Sequence, residues 1–419
     1  MLGSKARLVT ALRLKRCTLP LRVIRSATFE GMADAYGKPL SALTYTYLNM
    51  VREYPGVLIT GACAVSMAGK SMHPGQAGIW SDVQAEAWRE IVEGVHWASP
   101  GTRLFMQISH AGRQTLEEVT GLPVKGASAL PSPYFRQRVT PMSEDEAYEV
   151  TADFAYAAQR ARRAGFDGVQ IQAGHGDLIH QFLSSATNDR TDAFEDTGLL
   201  LELVVDAVRD ACGPDFPILL KVSAGDDVSL TPEQVIPALE RVQSEVDAVE
   251  ASYGSMDIPF NIVRGDLPLE AVRAVNPLVK SWPQPAFDVW KLLALPFKRR
   301  HIKRFTPGYT LVQAKALQAE LDVPVIPVGG IHDLETMLLA MEEYGFSAVA
   351  LSRPFVCEPD LATRLRRGAW TASACTRCNL CAVYCDSGAP LRCHANADIT
   401  PAGQTPPASE TQGKTPEQE

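Results

Sequence analysis

Short apolar segments rich in β-branched residues recur along the chain, with longer segments of helical periodicity between them. Their apolar runs are continuous rather than alternating, which is typical of strands buried on both faces of a parallel sheet. The intervening segments are long enough for helical crossovers between parallel strands. The pattern therefore predicts eight β–α units, with strands in residues 22–28, 56–65, 103–109, 167–173, 216–223, 246–252, 323–330 and 347–352.

Two of the connecting segments begin with helix start signals. Ser143 and Glu146 have the spacing of a capping box, in which two side chains reciprocally satisfy backbone N–H groups. Thr231 precedes Pro232 and Gln234, which combines an N-cap, a proline at the first helical position and a reciprocal amide. Regular alternation of strands and helices favours a closed barrel over an open sheet, so we predict an α/β fold, a (β/α)8 TIM barrel.

Two long insertions and a cysteine-rich C-terminal appendage extend this pattern. The insertions, 111–142 and 253–308, follow the third and sixth predicted strands and are therefore βα loops, which on a barrel surround the substrate site. The last residues have few apolar side chains and many Pro, Thr, Gln and Glu, which is typical of disorder. We predict an N-terminal extension at 1–18, the barrel at 19–370, a Cys-rich segment at 371–398 and a disordered tail at 399–419.

The chain of 419 residues has 40 basic and 48 acidic side chains, a formal net charge of −8. This balance predicts no general attraction to nucleic acid or to an anionic membrane, and it favours small molecules as partners. No apolar run approaches the length of a membrane-spanning helix, and basic residues scattered through the N-terminus are unlike a secretory signal. We therefore expect a cytoplasmic protein, and we leave open whether it forms a homo-oligomer.

The ends of the last two predicted strands carry candidate phosphate ligands. Gly329 and Gly330 end the seventh strand, where a backbone without side chains can approach a ligand closely, and Ser352 and Arg353 end the eighth. Loops at these two places commonly form the phosphate site of barrels. The alternative is that the glycines only permit a tight turn and that Arg353 is a surface cation. The paired placement favours a phosphate site.

Several stretches resemble, in the same order over all eight strands, the Old Yellow Enzyme family of FMN-dependent NAD(P)H:flavin oxidoreductases. They lie between about residues 20 and 360 and read RVIRSATFEGMAD, GVLITGACAV, GIWSD, QISHAGR, AGFDGVQIQAGHGDLIHQFLSSATNDRTD, LLKVS, PVIPVGGI and ALSRPF. The resemblance implies a TIM barrel with FMN as cofactor, NAD(P)H as electron donor and a small-molecule electron acceptor.

Carried over position by position, the resemblance implies a set of residues that contact FMN. Lys221 would lie near N1 and O2, where reduced flavin gathers negative charge that a fixed cation stabilises. An unpaired buried lysine would otherwise be costly. The alternative for Gln107 is a polar core residue with satisfied hydrogen bonds. The implied set is Ser26, Ala27 and Thr28 against the flavin, Ala62, Gln107 and Lys221 at its pyrimidine edge, and Gly329, Gly330, Ser352 and Arg353 at the phosphate.

The predicted substrate pocket departs from the family pattern. Gln172 and His175 stand where similar proteins have two His, or His and Asn, that hold the acceptor. Glutamine and histidine side chains can both still donate hydrogen bonds to it.

Asp177 stands where the family commonly has a proton-donating Tyr, and Asp is an acid at neutral pH only if its pKa is raised. Alternatively, Asp177 is an exposed loop acid or a helix cap, and solvent supplies the proton. Residues 193–203 also differ from the family, and Phe29 occupies or neighbours a position that often tunes flavin potential.

A cluster of cysteines follows the predicted barrel in the pattern C-x2-C-x2-C-x3-C-x7-C. In a cytosolic chain such crowding favours a metal over disulfides. The segment resembles the [4Fe–4S] segment of the 2,4-dienoyl-CoA reductase and trimethylamine dehydrogenase branch, which usually has three residues rather than two between its second and third cysteines. A [4Fe–4S] cluster, a zinc ion and thiols without a metal remain open. The predicted ligands are Cys375, Cys378, Cys381 and Cys393, with Cys385 as the alternative.

These observations predict an enzyme that passes hydride from reduced FMN to an electron-poor acceptor such as an α,β-unsaturated carbonyl, as ene-reductases do. Gln172, His175 and Asp177 are its predicted catalytic residues. One alternative is a flavin-binding protein whose rebuilt pocket serves redox sensing or partner docking. Another is a flavoenzyme that oxidises or demethylates amines.

Overall fold

The computed structural model describes residues 2–395 and places eight parallel strands in one ring. In order around the ring these strands are Val23–Arg25, Val57–Ile59, Arg103–Ser109, Gly168–Ala173, Ile218–Ser223, Ala248–Ser252, Val325–Pro327 and Val349–Leu351, and the last pairs with the first. A parallel bridge between Val328 and Ala350 joins the two remaining edges. In chain order the strands are β1 (Leu12–Arg13), β2 (Thr18–Leu19), β3 (Val23–Arg25), β4 (Val57–Ile59), β5 (Cys63–Ala64), β6 (Arg103–Ser109), β7 (Lys125–Gly126), β8 (Thr140–Pro141), β9 (Gly168–Ala173), β10 (Ile218–Ser223), β11 (Ala248–Ser252), β12 (Val325–Pro327) and β13 (Val349–Leu351).

Helices connect the strands of the ring and cover its outside. A 3₁₀ turn at Ala193–Glu195 precedes the helix that connects β9 and β10. The helices are α1 (Leu2–Leu8), α2 (Ala42–Val51), α3 (Asp82–Ala98), α4 (Glu117–Thr120), α5 (Glu144–Arg163), α6 (Leu178–Leu183), α7 (Leu199–Cys212), α8 (Pro232–Val242), α9 (Pro259–Ile262), α10 (Leu269–Val275), α11 (Gln284–Leu293), α12 (Leu295–Arg299), α13 (Leu311–Glu320), α14 (Leu334–Glu342), α15 (Arg353–Cys357), α16 (Leu361–Arg366) and α17 (Leu380–Cys385).

The local signals in the sequence predict these elements well. Each of the eight predicted apolar segments contains one strand of the ring, so the predicted (β/α)8 barrel is confirmed. Helix α5 begins with the predicted capping box, in which the Ser143 hydroxyl accepts from Glu146 N at 3.1 Å. At the start of α8 the Gln234 side chain accepts from Thr231 N at 2.9 Å. These bonds satisfy N–H groups that would otherwise lack partners at the helix ends.

The second predicted strand is divided in two. Residues between β4 and β5 leave the regular ladder, and Gly61 N donates to the Glu30 carboxylate at 2.9 Å. A side chain at Gly61 would collide with that carboxylate, so only glycine fits there. The break lets the loop after β3 approach the ring.

The main core lies between the ring and its helices. Helix α5 buries one stripe of mostly small side chains, among them Ala147, Phe154, Ala158 and Ala161, at helical spacing. Small side chains allow α5 and α7 to pack closely. Burial of this apolar area is the main favourable term that holds the helices on the ring.

The N-terminal residues cover one end of the barrel. The hairpin of β1 and β2 carries Arg16, whose backbone N donates to Asp247 at 2.7 Å and whose Nε donates to Pro214 O at 2.7 Å. Both acceptors precede barrel strands, so the hairpin lies at the N-terminal ends of β10 and β11. The predicted tail at 399–419 lies outside the described residues, as do residues 396–398 of the Cys-rich segment.

The two predicted insertions leave the opposite end of the barrel. Residues 111–142 carry α4, β7 and β8 after β6, and residues 253–308 carry α9 to α12 after β11. Both follow the C-terminal ends of their strands, as predicted for loops that wall a substrate site. Among residues 2–395, none of the helices combines the length and the apolar character that crossing a bilayer requires.

Candidate active site at the C-terminal end of the barrel

One cavity of about 830 Å³ opens at the C-terminal ends of the barrel strands. Its volume lies in the range of ordinary cofactor and substrate sites. The structure brings every predicted cofactor and catalytic residue to this cavity, which is lined by Ser26, Ala27, Thr28, Ala62, Gln107, Gln172, His175, Asp177, Lys221, Gly329, Gly330, Ser352 and Arg353.

Lys221 reaches this cavity as one half of a buried ion pair. Its Nζ lies 2.8 Å from Oε1 of Glu250, which stands opposite it in the register of β10 and β11. Lys221 also donates to Ser26 Oγ at 3.0 Å, and Ser26 Oγ donates to Glu250 Oε1 at 2.7 Å. Both charged side chains are almost fully buried, so each offsets much of the other's desolvation cost. Sequence reasoning missed Glu250, because its position opposite Lys221 follows from strand register.

Gln107 belongs to the same buried network. Its Nε2 donates to Gln170 Oε1 at 2.8 Å, and Gln170 Nε2 lies 3.4 Å from Glu250 Oε2. Gln107 therefore has a partner in the barrel interior while it also lines the cavity. The network connects two residues predicted to contact the flavin edge, Gln107 and Lys221, through Glu250.

The loop after β3 is held in place by a second buried ion pair. Arg25 Nη2 lies 2.8 Å from Glu30 Oε1, and that carboxylate also accepts from Tyr47 Oη at 3.0 Å. Residues 26–28 lie between these two partners and form one wall of the cavity. Thr28 Oγ1 lies 2.9 Å from Ser352 Oγ, so this wall contacts the loop after β13.

The predicted phosphate ligands form a cradle of bare backbone beside a buried cation. Gly329 and Gly330 have φ of 131° and 77°, and a Cβ on Gly330 would lie 2.5 Å from Gly308 N, so side chains do not fit. Arg353 is 8% exposed, and its Nη1 donates to Asn379 Oδ1 at 2.6 Å. In the part of the chain that the structure describes, Arg353 forms no ion pair with a carboxylate. A buried guanidinium without an anion is costly, which favours an anionic ligand.

Gln172 and His175 lie together at the end of β9. His175 has a φ of 58°, and its backbone N donates to Ser223 Oγ at 2.9 Å. Its Nδ1 lies 3.3 Å from Gln172 Nε2 and its Nε2 lies 2.7 Å from Ser252 Oγ. Burial and the nearby Lys221 hold the pKa of His175 well below 6.5, so the ring is neutral. With Gln172 Nε2 as donor, His175 Nδ1 accepts and Nε2 carries the proton.

Asp177 presents its carboxyl to the same cavity. Burial raises the pKa of Asp177 to about 6, although a hydrogen bond from Ser109 and the nearby His180 act in the opposite direction. Ser109 Oγ donates to Oδ2 at 2.8 Å. Asp177 precedes α6 in the N-cap position, but its side chain makes no capping hydrogen bond. A carboxyl of this kind is partly protonated near neutral pH and can act as an acid.

Four of the five clustered cysteines surround a small second cavity. Cys375, Cys378, Cys381 and Cys393 line it, together with Cys357 from the end of α15. Cys393 Sγ lies 3.9 Å from Cys357 Sγ. Sequence reasoning missed Cys357, which lies 18 residues before Cys375.

Cys385, the alternative ligand, lies apart from that small cavity. It is buried in an apolar cluster with Val356 and Leu391, and its Sγ lies 4.0 Å from Phe29 O. Burial raises the pKa of the Cys385 thiol. Within residues 2–395 no group of three or more His, Cys, Asp or Glu side chains is arranged to hold a metal ion. The predicted ligation of a [4Fe–4S] cluster or a zinc ion by these cysteines therefore stays a prediction.

Comparison with known families identifies the chain. The model of the NADH:flavin oxidoreductase / NADH oxidase family matches residues 7–248, more than half of the chain. The chain belongs to this family. The predicted family and enzyme class are therefore confirmed: the chain is an NAD(P)H:flavin oxidoreductase, and FMN is its cofactor.

Individual relatives agree with this assignment. An NADPH dehydrogenase of Clostridium acetobutylicum is 28% identical over 311 residues, which are 73% of this chain and 78% of that protein. An NADPH dehydrogenase of Listeria monocytogenes is 31% identical over 263 residues, 60% of this chain and 74% of that protein. The solved structure of a 2-naphthoyl-CoA reductase in complex with 2-naphthoyl-CoA has a TM-score of 0.77 at 19% identity. It matches 94% of this chain, and this chain spans 57% of its length; this likeness shows the fold.

Proposed function

We propose that this oxidoreductase uses NAD(P)H and FMN to reduce an electron-poor double bond, such as the alkene of an α,β-unsaturated carbonyl. The observation that carries the proposal is that one cavity joins an uncompensated buried cation, a buried ion pair and a set of donor and acid side chains. Bound FMN would supply the hydride-transfer chemistry.

The residues around the cavity fit FMN. Arg353 and Ser352 would hold the terminal phosphate, together with backbone N–H groups at Gly329 and Gly330, where side chains do not fit. Lys221 would face the edge of the flavin that gathers negative charge. Its ion pair with Glu250 would weaken the positive electrostatic potential at that edge. The remaining contacts of the proposed site come from Ser26, Ala27, Thr28, Ala62 and Gln107.

Two side chains would orient the acceptor. His175 is neutral and carries its proton on Nε2, where Ser252 Oγ is its partner. An acceptor carbonyl that takes this N–H would replace Ser252, and Gln172 offers a second N–H nearby. Neutral donors polarise a carbonyl less than an imidazolium would, so this site suits acceptors that are already electron-poor.

Asp177 would hold the proton that completes the reduction. Hydrogen bonds from Ser109 and Gln172 favour the ionised carboxyl, but burial outweighs them and makes the protonated form accessible. The proton would pass to the carbon next to the carbonyl, and solvent entering the cavity would restore it. A pKa of about 6 makes this group a stronger acid than a tyrosine at the same place.

Anaerobic absorption spectroscopy tests the proposed function. We expect the visible flavin band of the holoenzyme to bleach with NADH or NADPH and to return when an enone is added, with the saturated ketone as product. Bleaching without recovery by any electron-poor alkene would contradict the proposed acceptor. Retention of FMN without bleaching by either nucleotide would favour a flavin-binding role, and an oxidised amine as product would favour the demethylating alternative.

A further inference from the structure

Helices α11 and α12, which help to wall the cavity, carry a second apolar face on their outer side. Trp290 and Leu295 line the cavity on the inner side. Four other large side chains of these helices, at positions about one helical turn apart, do not line the cavity and are mostly exposed. We call them the outer face: Val289, Leu292, Leu293 and Phe297, with exposed fractions of 56%, 74%, 61% and 63%.

A run of cations continues directly from the outer face. Residues 298–304 contain Lys298, Arg299, Arg300, Lys303 and Arg304, and we call them the basic segment. Lys303 lies 3.5 Å from Asp227, and it alone of the five forms an ion pair with a carboxylate in the described chain.

The basic segment is anchored to helix α9 of the same insertion. The buried Asn261 donates from Nδ2 to His301 O at 3.0 Å and accepts from Lys303 N at 2.8 Å. Asp288 on α11 and Glu270 on α10 both pair with Lys291, each at 2.9 Å, and neither pairs with a cation of the basic segment. The outer face and the basic segment therefore form one surface that is apolar and strongly positive.

This surface alters the expectation drawn from the net charge. The whole chain has a net charge of −8, which predicts no general attraction to an anionic membrane. Charges are screened beyond about 8 Å at physiological ionic strength, so an approaching surface senses the nearest side chains rather than the total. The basic segment therefore determines the electrostatics at this end of the molecule.

We propose that the outer face and the basic segment dock the protein on an anionic lipid surface. Exposed aliphatic and aromatic side chains enter the boundary between headgroups and acyl chains, and adjacent cations contact lipid phosphates. The apolar side chains adjoin five cations, four of which have no carboxylate partner in the described chain. This combination selects an anionic bilayer over a second copy of the chain, because a two-fold contact would oppose the two basic segments. An acidic polypeptide would form ion pairs with the cations, but it would leave the apolar side chains of the outer face exposed to water.

Docking of this kind would bring the cavity close to the bilayer. Lys298 belongs to the basic segment and also lines the cavity, and the inner side of α11 forms part of the same wall. An apolar acceptor dissolved in the membrane would then reach the cavity without crossing water. The proposal concerns the location of the enzyme and holds whichever acceptor it reduces.

Vesicle co-sedimentation of the holoenzyme tests the proposal. We expect binding to vesicles of phosphatidylcholine mixed with phosphatidylglycerol, little binding to phosphatidylcholine alone, and loss of binding at high salt. The double variants L292D/L293D and R299E/R300E should each weaken binding roughly ten-fold or more. The matched control is V312D, because Val312 on α13 is 65% exposed but lies outside the outer face.

Retained FMN absorbance and bleaching by NAD(P)H show that the variants are folded, and neither readout depends on lipid. Binding that V312D weakens as much as L292D/L293D does would overturn the proposal, as would no binding to either vesicle. Two further measurements test the alternative partners of this surface: sedimentation equilibrium tests a second copy of the chain, and binding to polyglutamate tests an acidic polypeptide. Self-association lost in L292D/L293D, or capture of polyglutamate without capture of vesicles, would assign the surface to a different partner and also overturn the proposal.

Discussion

Lys221 Nζ lies 2.8 Å from Glu250 Oε1 on the neighbouring strand, inside the barrel and at the floor of the proposed flavin site. The cation that the family resemblance implies beside the flavin is therefore half of an ion pair. A flavin bound there would experience a weaker positive field than an isolated ammonium provides, because the carboxylate opposes it. Ser26 and Gln170 form hydrogen bonds with Glu250. Because these bonds hold the carboxylate in place, they also affect the redox potential of a flavin bound there.

Replacement of Glu250 tests this coupling. Glu250→Gln should raise the midpoint potential of bound FMN by about 30–60 mV, since 30 mV corresponds to about 1.4 kcal/mol for a two-electron couple. Removing a nearby negative charge favours the reduced flavin, which carries more negative charge. Spectroscopic redox titration measures the shift. The control is Glu358→Gln, because Glu358 is equally buried and pairs with Arg364 outside the cavity. An unchanged or lower potential in Glu250→Gln would show that Glu250 does not act on the flavin.

Arg353 should contribute to FMN affinity through the phosphate alone. Arg353→Ala should weaken FMN binding by about 10- to 100-fold, the effect of losing a charged hydrogen bond of about 1.5–3 kcal/mol. Riboflavin lacks the phosphate, so its affinity should change little. Fluorescence titration of the apoprotein with both flavins measures the difference, with Arg89→Ala at an exposed surface pair as the control. Equal losses for FMN and riboflavin would indicate a general structural defect instead of a phosphate contact.

The proton held by Asp177 should give the reaction a specific pH dependence. A carboxyl with a pKa of about 6 is protonated below that pH. Reoxidation of the reduced enzyme by an enone should therefore be fastest below about pH 6 and fall about ten-fold per pH unit above it. Asp177→Asn should remove this dependence and lower the rate about 100-fold. Stopped-flow absorbance over a pH series measures both effects.

Asp386 supplies the matched control for Asp177. It lines the same cavity, and burial raises its pKa as well, but His73 at 3.4 Å is its partner. Asp386→Asn should keep the fall in rate above about pH 6. If Asp177→Asn retained that fall, another group would donate the proton, and solvent would be the first alternative.

The different environments of two cysteines predict different effects of their replacement. Cys381 lines the small cavity with the other clustered thiols, whereas Cys385 does not line it and is buried in an apolar cluster that both Phe29 and Cys381 border. If the segment holds a [4Fe–4S] cluster, Cys381→Ser should lose iron and acid-labile sulfide, and Cys385→Ser should retain both. Metal analysis of anaerobically purified protein gives the result. Iron loss in Cys385→Ser with retention in Cys381→Ser would reverse the ligand assignment.

The fold was largely predictable because its signals are local. Continuous apolar runs mark strands buried on both faces, and the capping box at Ser143 satisfies its own helix end within four residues. The grouping of distant residues at the cavity was also predictable, because parallel strands of a barrel bring their C-terminal ends to one side. Gly330 and Arg353 could therefore be placed near each other without coordinates.

The sequence by itself determined the order of strands and helices, the end of the barrel that carries the chemistry, and the residue types present there. Only the tertiary structure decided that Glu250 opposes Lys221, that Cys357 adjoins Cys393, and that Asp177 is buried enough for its pKa to rise to about 6. Strand register, contacts between distant segments and desolvation depend on how the whole chain packs. No local spacing of residues encodes them, because each requires partners brought together from separate parts of the sequence.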